Sequence, residues 1–287
     1  MPANINEGND QKKCCWKKCI GFFKKKKIVN VLNLDGVIGA VGFKQGLTIS
    51  LLNKYIEKAF EGKNIKAVIL NVNSPGGSPV QSELITQRVM QLARKSNIPV
   101  ISFVEDIAAS GGYWIACAAP EIIVAKNSIL GNLGVRFSGF GFDKAIERFG
   151  VERRIYTQGE SKALLDPFLP EKKEDIDIIM KVQEDIYENF KSHVTESRKG
   201  KLKLSEKETF TGAIWSGTQA VENGIADKIG DLYSEIEMRF GKEVDIRVVN
   251  QEKSWLKRKL SMMFSVIAHV ISSYSVDSLG KNKFELR

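Results

Sequence analysis

Histidine is nearly missing from this chain: His193 and His269 are the only two among 287 residues. His193 falls in a long polar helical pattern and His269 in an apolar tail, both far in sequence from any glycine turn. A serine-histidine-acid hydrolase is disfavoured on that inventory. Cysteine is scarce as well. Cys14, Cys15 and Cys19 crowd a basic N-terminal stretch, and Cys117 falls in an apolar one. They form no recognised zinc spacing, so a reduced compartment is the simpler inference, and nothing else has metal-ligand spacing. No metal or cofactor is expected. Long apolar runs are lacking near the N-terminus, where Lys12 to Lys27 breaks up Cys14–Trp16, Cys19–Ile20 and Phe22–Phe23 with lysines. That is too short for a secretory core or a span, so neither a cleavable signal nor a transmembrane helix is expected there. The G-x-S-x-G elbow is absent, because Ala108 stands where its first glycine would be. No repeat of fixed period and no nucleic-acid module is visible.

What the chain does have is two glycine turns. Ile107–Cys117 reads I-A-A-S-G-G-Y-W-I-A-C, with Ser110 after a β-rich segment and before an apolar, helical one. Two glycines let the backbone turn sharply there and approach a ligand closely. Upstream, the apolar run Lys66–Val72 enters Asn73-Ser74-Pro75-Gly76-Gly77-Ser78, and a helical pattern with Leu84, Ile85, Val89 and Leu92 follows. A strand, a glycine turn and a helix in succession present free backbone N–H groups where negative charge is favoured. Two such turns can each supply one N–H to an oxyanion, although Pro-Gly-Gly is also ordinary turn chemistry. With histidine out of reach, the remaining common activation of a serine is a lysine held in apolar surroundings, away from carboxylates.

These residues resemble a known family. Ser110-Gly-Gly-Tyr113, the Asn73–Gly77 turn and Gln158-Gly-Glu-Ser-Lys162 with Pro167-Phe168 are similar to signal peptide peptidase A (protease IV), a family of serine-lysine peptidases. Thr211–Gly230 resembles its C-terminal stretch, and the interval from Ser110 to Lys162 fits its short single-domain form. The resemblance covers about Val29 to Tyr233. It implies an α/β fold of the Clp protease/crotonase-like ββα spiral, with Ser110 as nucleophile, Lys162 as general base, and Gly77 and Gly111 as backbone oxyanion donors. It also implies a homo-oligomeric ring whose active sites are shared between neighbouring subunits. One position departs: Asn132, in Leu130-Gly-Asn-Leu-Gly-Val135, replaces the serine that orients the family's lysine. Its amide oxygen can still accept from an amine, so an orienting role for Asn132 survives on chemistry. Glu160 and Asp166 flank Lys162 and are expected to point away from it.

Read for elements, the chain predicts strands at Ile28–Leu34, Lys66–Val72, Pro99–Val104, Glu121–Ala125, Val151–Tyr156 and Asp245–Val249. Helices are predicted at Thr48–Phe60, Pro79–Lys95, Asp143–Phe149 and Glu171–Lys199. Such alternation means an α/β protein. Charge divides it into a basic segment over residues 1–27, a peptidase domain over 28–250 and a basic, partly apolar extension over 251–287. Residues 1–27 hold eight lysines against Glu7 and Asp10, 8 − 2 = +6, and residues 251–287 hold 7 − 3 = +4. The net +9 then leaves 9 − 6 − 4 = −1 for the middle. Basic ends on a near-neutral body suit an anionic membrane surface better than nucleic acid, with a solvated tail as the alternative. Trp255–Val276, basic and then apolar, reads as an interfacial helix or as a segment packed on the body or on a neighbouring subunit.

The expected function is a serine endopeptidase acting on peptide substrates, among them residual signal peptides or other membrane-derived or unfolded chains. Its place is the cytoplasm, peripheral to the membrane if the basic ends engage lipid. Two other readings stay open: a crotonase-type acyl-CoA enzyme, and a catalytically silent peptide-binding or membrane scaffold of the same fold.

Overall fold

The structure, a computed structural model, describes residues 26–41 and 44–249. β1 (Ile28–Asp35) is followed by a short hairpin of β2 (Ala40–Val41) and β3 (Lys44–Gln45), then α1 (Ile49–Phe60). β4 (Ile65–Ser74), α2 (Pro79–Ser96), β5 (Val100–Ala109) and α3 (Gly111–Ala116) form the centre. β6 (Ile122–Val124), β7 (Ile129–Gly131), α4 (Asp143–Arg148) and α5 (Lys173–Ser197) come next. The described chain ends with α6 (Glu206–Thr209), β8 (Ile214–Ser216), α7 (Gly217–Glu222), β9 (Lys228–Ile229), α8 (Leu232–Phe240) and β10 (Asp245–Val249).

The main sheet has the order β10-β1-β4-β5-β6-β9, and each neighbouring pair is parallel. Parallel sheets are stable when both faces are covered, which is why β1, β4 and the first half of β5 are nearly continuous apolar runs. Alternate residues face opposite ways. Leu32, Leu34, Leu70, Val72 and Val104 share one core with Leu52 and Ile56 of α1, Ile85 and Val89 of α2, and all of α3 from Tyr113 on. Val31, Ile69, Phe103 and Ile123 share the other with Ile236 of α8. Each fully buried aliphatic side chain contributes about 1.5–3 kcal/mol, so the two cores together hold the sheet.

Local signals place α2. Ser78 Oγ accepts from the Gln81 N–H, Pro79 fills the first helical position, and Asn97 ends the helix with a left-handed φ of 52°. β5 is irregular. It pairs with β6 through Ser102–Val104 and with β7 through Ile107–Ala109. Against β4 its register jumps from Val72↔Val104 to Ser74↔Ala108. Such a bulge re-aims the end of a strand. It lets β5 serve two neighbours on one side, β6 and then β7.

One expected strand is corrected. Val151–Tyr156 has no ladder partner among the described residues, and Val151 and Tyr156 are both exposed. A strand pattern yields a strand only where an edge is available to pair with. The basic segment, with Cys14, Cys15 and Cys19, lies outside the described residues up to residue 25. So do the Trp255–Val276 segment and His269.

The polar centre of the fold is Arg198, just after α5, whose side chain is completely buried. Its guanidinium donates to Gly224 O at 2.9 and 3.1 Å and to Asp227 Oδ2 at 2.6 Å. Asp227 also accepts from the Ile122 N–H at 2.8 Å and pairs with Lys201 at 2.7 Å. The Tyr113 hydroxyl donates to Ile225 O at 2.7 Å, tying α3 to the same loop. Burial alone would push the Asp227 carboxyl up, but Arg198, Lys201 and the Ile122 N–H outweigh it and hold it below its ordinary value. Breaking such a buried pair on one side leaves an uncompensated charge. Arg198→Met is therefore expected to lower the unfolding free energy by about 3–5 kcal/mol, measured by urea denaturation. With the folded-state pKa depressed, Asp227's contribution is present above about pH 3.9 and is lost as the pH falls through the lower folded value. An acid titration of stability in Asp227→Asn should be flatter than that of the wild type over that window.

Candidate active site

Ser110 stands at the end of the bulged β5 and caps α3. Its φ of 51° and ψ of −120° are rarely adopted by a residue with a side chain. The turn is held from both sides: the Ser110 N–H donates to Gly131 O of β7 at 2.8 Å, and the Trp114 N–H donates to Ser110 O at 3.0 Å. Behind the turn α3 is wholly buried, with Trp114 stacked on Phe190 at 4.9 Å and on His193 at 5.2 Å. Strain of this kind persists only where surrounding packing over-determines it. Here the serine side chain is left half-buried at the end of a strand.

The second glycine turn lies against the first. Gly77 forms a parallel bridge with Ile38: the Ile38 N–H donates to Gly76 O, and the Ser78 N–H donates to Ile38 O, both at 2.9 Å. Since neighbouring backbone groups alternate in direction, the Gly77 N–H faces away from Ile38. Among the described residues neither it nor the Gly111 N–H, at the start of α3, has an acceptor. A Cβ on Gly111 would stand 3.4 Å from Gly77 N, so the two turns meet at their backbones. Gly77, with φ 147°, has no room for a side chain, since a Cβ would stand 2.0 Å from Ile38 O. Two unbonded N–H groups beside a strained serine form an arrangement suited to stabilising an oxyanion.

Asn132 follows Gly131, and the Ala109↔Gly131 pairing makes it the next residue in register beside Ser110. It is exposed, with a left-handed φ of 53° that asparagine tolerates better than most residues. Lys162 is not brought to this cluster. It lies in a turn, its N–H bonded to Gly159 O at 3.2 Å, with its side chain exposed. Among the described residues its ammonium makes no hydrogen bond or ion pair. Asp166 is occupied elsewhere: its oxygens accept from the Phe168 N–H at 2.9 Å and from Arg153 at 3.1 Å, which hold its carboxyl below the ordinary value. Glu160 is likewise exposed and forms no ion pair with Lys162.

Lys162 belongs to an arm, residues 137–171, that leaves Phe140, Phe149 and Tyr156 80%, 84% and 92% exposed. Phe142 stacks on Phe168 at 5.6 Å. Arm and α5 border a recess of about 840 Å³ lined by Phe142, Leu165, Ile176 and Met180 among others.

Among the described residues, His193 and Cys117 are occupied in the core. His193 Nε2 lies 3.0 Å from Trp114 O, and burial pushes its imidazole below the ordinary value. The histidine thus braces α3 from behind. Burial pushes the Cys117 thiol up to about 11, which leaves it an inert core residue. The Arg198–Asp227 pair and the bulge in β5 were not legible as supports of this site. Each depends on residues distant in sequence, and neither has a local motif.

Comparison with known proteins puts these residues in a family context. Residues 92–245 match peptidase family S49. The chain is 42% identical over 234 residues to a protein named Na(+)/H(+) antiporter NhaA from Brucella melitensis, a match covering 81% of this chain and 32% of that one. It is 33% identical to a putative signal peptide peptidase SppA of Enterococcus faecium, over 73% of this chain and 61% of the relative. Protease 4 of Haemophilus influenzae is also 33% identical, over 71% of this chain and 33% of its own. This chain thus spans about a third of the antiporter and of protease 4, and under two thirds of the Enterococcus relative. No helix among the described residues is long and apolar enough to cross a membrane. Among solved structures, a lysine-to-alanine mutant of the 1510-N membrane-bound stomatin-specific protease with a substrate peptide has a TM-score of 0.51 at 17% identity. It covers 83% of this chain and 98% of the other, and it matches the α/β fold of the Clp protease kind.

The backbone contact at the two turns gives a direct test. Gly77→Ala must displace Ile38 or the turn itself and is expected to cost about 2 kcal/mol or more. Gly150→Ala, at φ 64° with nothing within 4 Å of the added carbon, should cost about 1 kcal/mol. Chemical denaturation of the two variants side by side measures the difference.

Proposed function

The chain belongs to peptidase family S49, and from that premise we propose that it is a serine endopeptidase using a Ser110–Lys162 dyad. The observation that carries the reading is the strained Ser110 beside the unbonded N–H groups of Gly77 and Gly111. In this mechanism Ser110 Oγ attacks a peptide carbonyl while the Lys162 amine takes its proton. The carbonyl oxygen, now an oxyanion, accepts from Gly77 and Gly111. The tetrahedral intermediate collapses, the C–N bond breaks, and Lys162 returns the proton to the departing amine. Water then attacks the acyl-serine with the same base, releasing the acid and restoring Ser110.

Burial disfavours an ammonium, so an amine base works only where apolar side chains enclose it. Lys162 is exposed in the single chain, on an arm whose aromatic side chains are also exposed. This supports a homo-oligomeric ring in which the arm of one subunit covers the cleft of the next and brings Lys162 to its Ser110. Asn132, beside Ser110 in register, then accepts from the arriving amine and orients it. The peptidase domain spans residues 28–250, with the basic ends as contacts for an anionic membrane. Residual signal peptides and other membrane-derived or unfolded segments fit as substrates. The resemblance to a protein named signal peptide peptidase and to a membrane-bound protease supports this. Cytoplasmic placement at the membrane periphery is consistent with these substrates.

Cleavage of a synthetic signal peptide should fall about 10³-fold or more in Ser110→Ala and in Lys162→Ala, and no further in the double variant, because the two act as a unit. Activity that survives Lys162→Ala would remove the lysine from the mechanism. Tight binding of coenzyme A would point to the crotonase-type reading, and an inactive wild type to the silent scaffold. Specific activity should also drop on dilution, in step with loss of the assembled species by light scattering. A fully active monomer would exclude the shared site.

A further inference from the structure

Two consecutive glycines, Gly76 and Gly77, form the turn that follows β4. Both have a positive φ, 100° and 147°, and without side chains the peptide between them can turn over at small steric cost. Turned over, it would present the Gly76 carbonyl where the Gly77 N–H now stands, and an oxyanion would meet an acceptor in place of a donor. A trans peptide is planar, so its C=O and N–H point in opposite directions. Gly76 O accepts from the Ile38 N–H at 2.9 Å, which directs the Gly77 N–H the other way. The preceding peptide is fixed separately. Pro75 has no N–H, and the Gly76 N–H donates to Ser74 Oγ at 3.2 Å. Ser74 is completely buried, and Gly76 is buried with it. Gly76 thus lies between two anchored peptides, one held by a backbone bridge and the other by a side-chain hydroxyl.

We infer that Ser74 is a positioning residue of the peptidase, orienting the Gly77 N–H through Gly76. The inference rests on the peptidase reading and adds to it a side chain that touches neither substrate nor reacting atoms. Ser74 is the last residue of β4, and its register partner Ala108 stands two residues before Ser110. Gly76 in turn lies against the serine's own turn: a Cβ on it would stand 2.7 Å from Ala109 O and 2.9 Å from Gly111 N. An alanine at position 74 leaves the Gly76 N–H buried without this acceptor, which favours rotation of its peptide toward another. Oxyanion donors act by being in place before charge develops. Looser aim therefore costs rate and leaves ground-state binding as it was.

Steady-state kinetics of Ser74→Ala on a synthetic signal peptide tests the inference, with a peptide aldehyde and the matching peptide alcohol as inhibitors. Ser110 Oγ adds to the aldehyde carbon, its proton passes to Lys162, and the carbonyl oxygen becomes an alkoxide facing the two N–H groups. The alcohol cannot form that bond. In Ser74→Ala kcat is expected to fall about tenfold to a hundredfold with KM unchanged, the scale of a misplaced donor. Aldehyde affinity should fall by the same factor, and alcohol affinity should not move. Ser74→Cys keeps the shape of the side chain but offers a weak acceptor, so it should lose kcat in the same way. Circular dichroism checks the fold of both variants. The midpoint of the kcat/KM pH profile, set by Lys162, should stay where it is in the wild type. Wild-type kcat in either folded variant, or equal losses of aldehyde and alcohol affinity, would overturn the role of Ser74 and leave the dyad standing. A wild type that binds both inhibitors alike, and whose cleavage survives Ser110→Ala, would remove the peptidase reading and the role of Ser74 with it.

Discussion

Backbone touches backbone where β4 and β5 end, and the rest of the site depends on that contact. Gly77 has no space for a carbon beside Ile38 O, and a Cβ on Gly112 would stand 2.4 Å from Ser74 O. At such separations no side chain mediates between the two turns. Ser110 can therefore be held at a positive φ without relaxing, because β7 fixes its N–H on one side and α3 on the other. The strain at Ser110 is maintained by packing farther back: the Trp114–Phe190–His193 stack and the Arg198 cluster keep α3 in place. A polar network built on a fully buried guanidinium, with its hydrogen bonds made, favours one arrangement of these elements over its near alternatives.

The molecule divides its tasks between a rigid body and an arm. The body presents the serine and two N–H donors from strand ends and helix starts, elements whose positions the two cores hold. The arm, residues 137–171, carries Lys162 with exposed aromatic side chains around it. A large exposed apolar area is costly to leave in water and marks surfaces that meet something else. The chemistry of the proposed base requires the same covering, since an amine must be enclosed to stay uncharged. In the proposed mechanism one requirement thus links assembly to activity. Of the two histidines only His193 lies among the described residues, and its ring is held against Trp114 O behind α3.

Much of the body was legible beforehand. Strands β1, β4 and β10 and helices α1 and α2 follow from apolar periodicity. Ser110 and the Gly76-Gly77 turn stood out because glycine pairs at strand ends are physically specific. Less legible were the short pieces β7 to β9 and α6 to α8, where two to nine residues give periodicity little to act on. Val151–Tyr156 was expected as a strand but pairs with no strand among the described residues. The extension of β5 by five residues beyond Val104 was hidden because Glu105 and Asp106 interrupt the apolar run at the bulge.

Local chemistry along the chain determined the α/β class, the two turns able to carry free N–H groups, the lack of a histidine base and the basic ends. These are properties of neighbouring residues, set by side-chain type and short-range sterics. Tertiary structure alone decided that Gly77 and Gly111 meet, that Asn132 lies beside Ser110, and that Lys162 stays at the surface. It also decided that Arg198 finds Asp227 in the interior. Each of these joins or separates residues tens of positions apart. Their proximity follows from strand order and register, which no local pattern encodes.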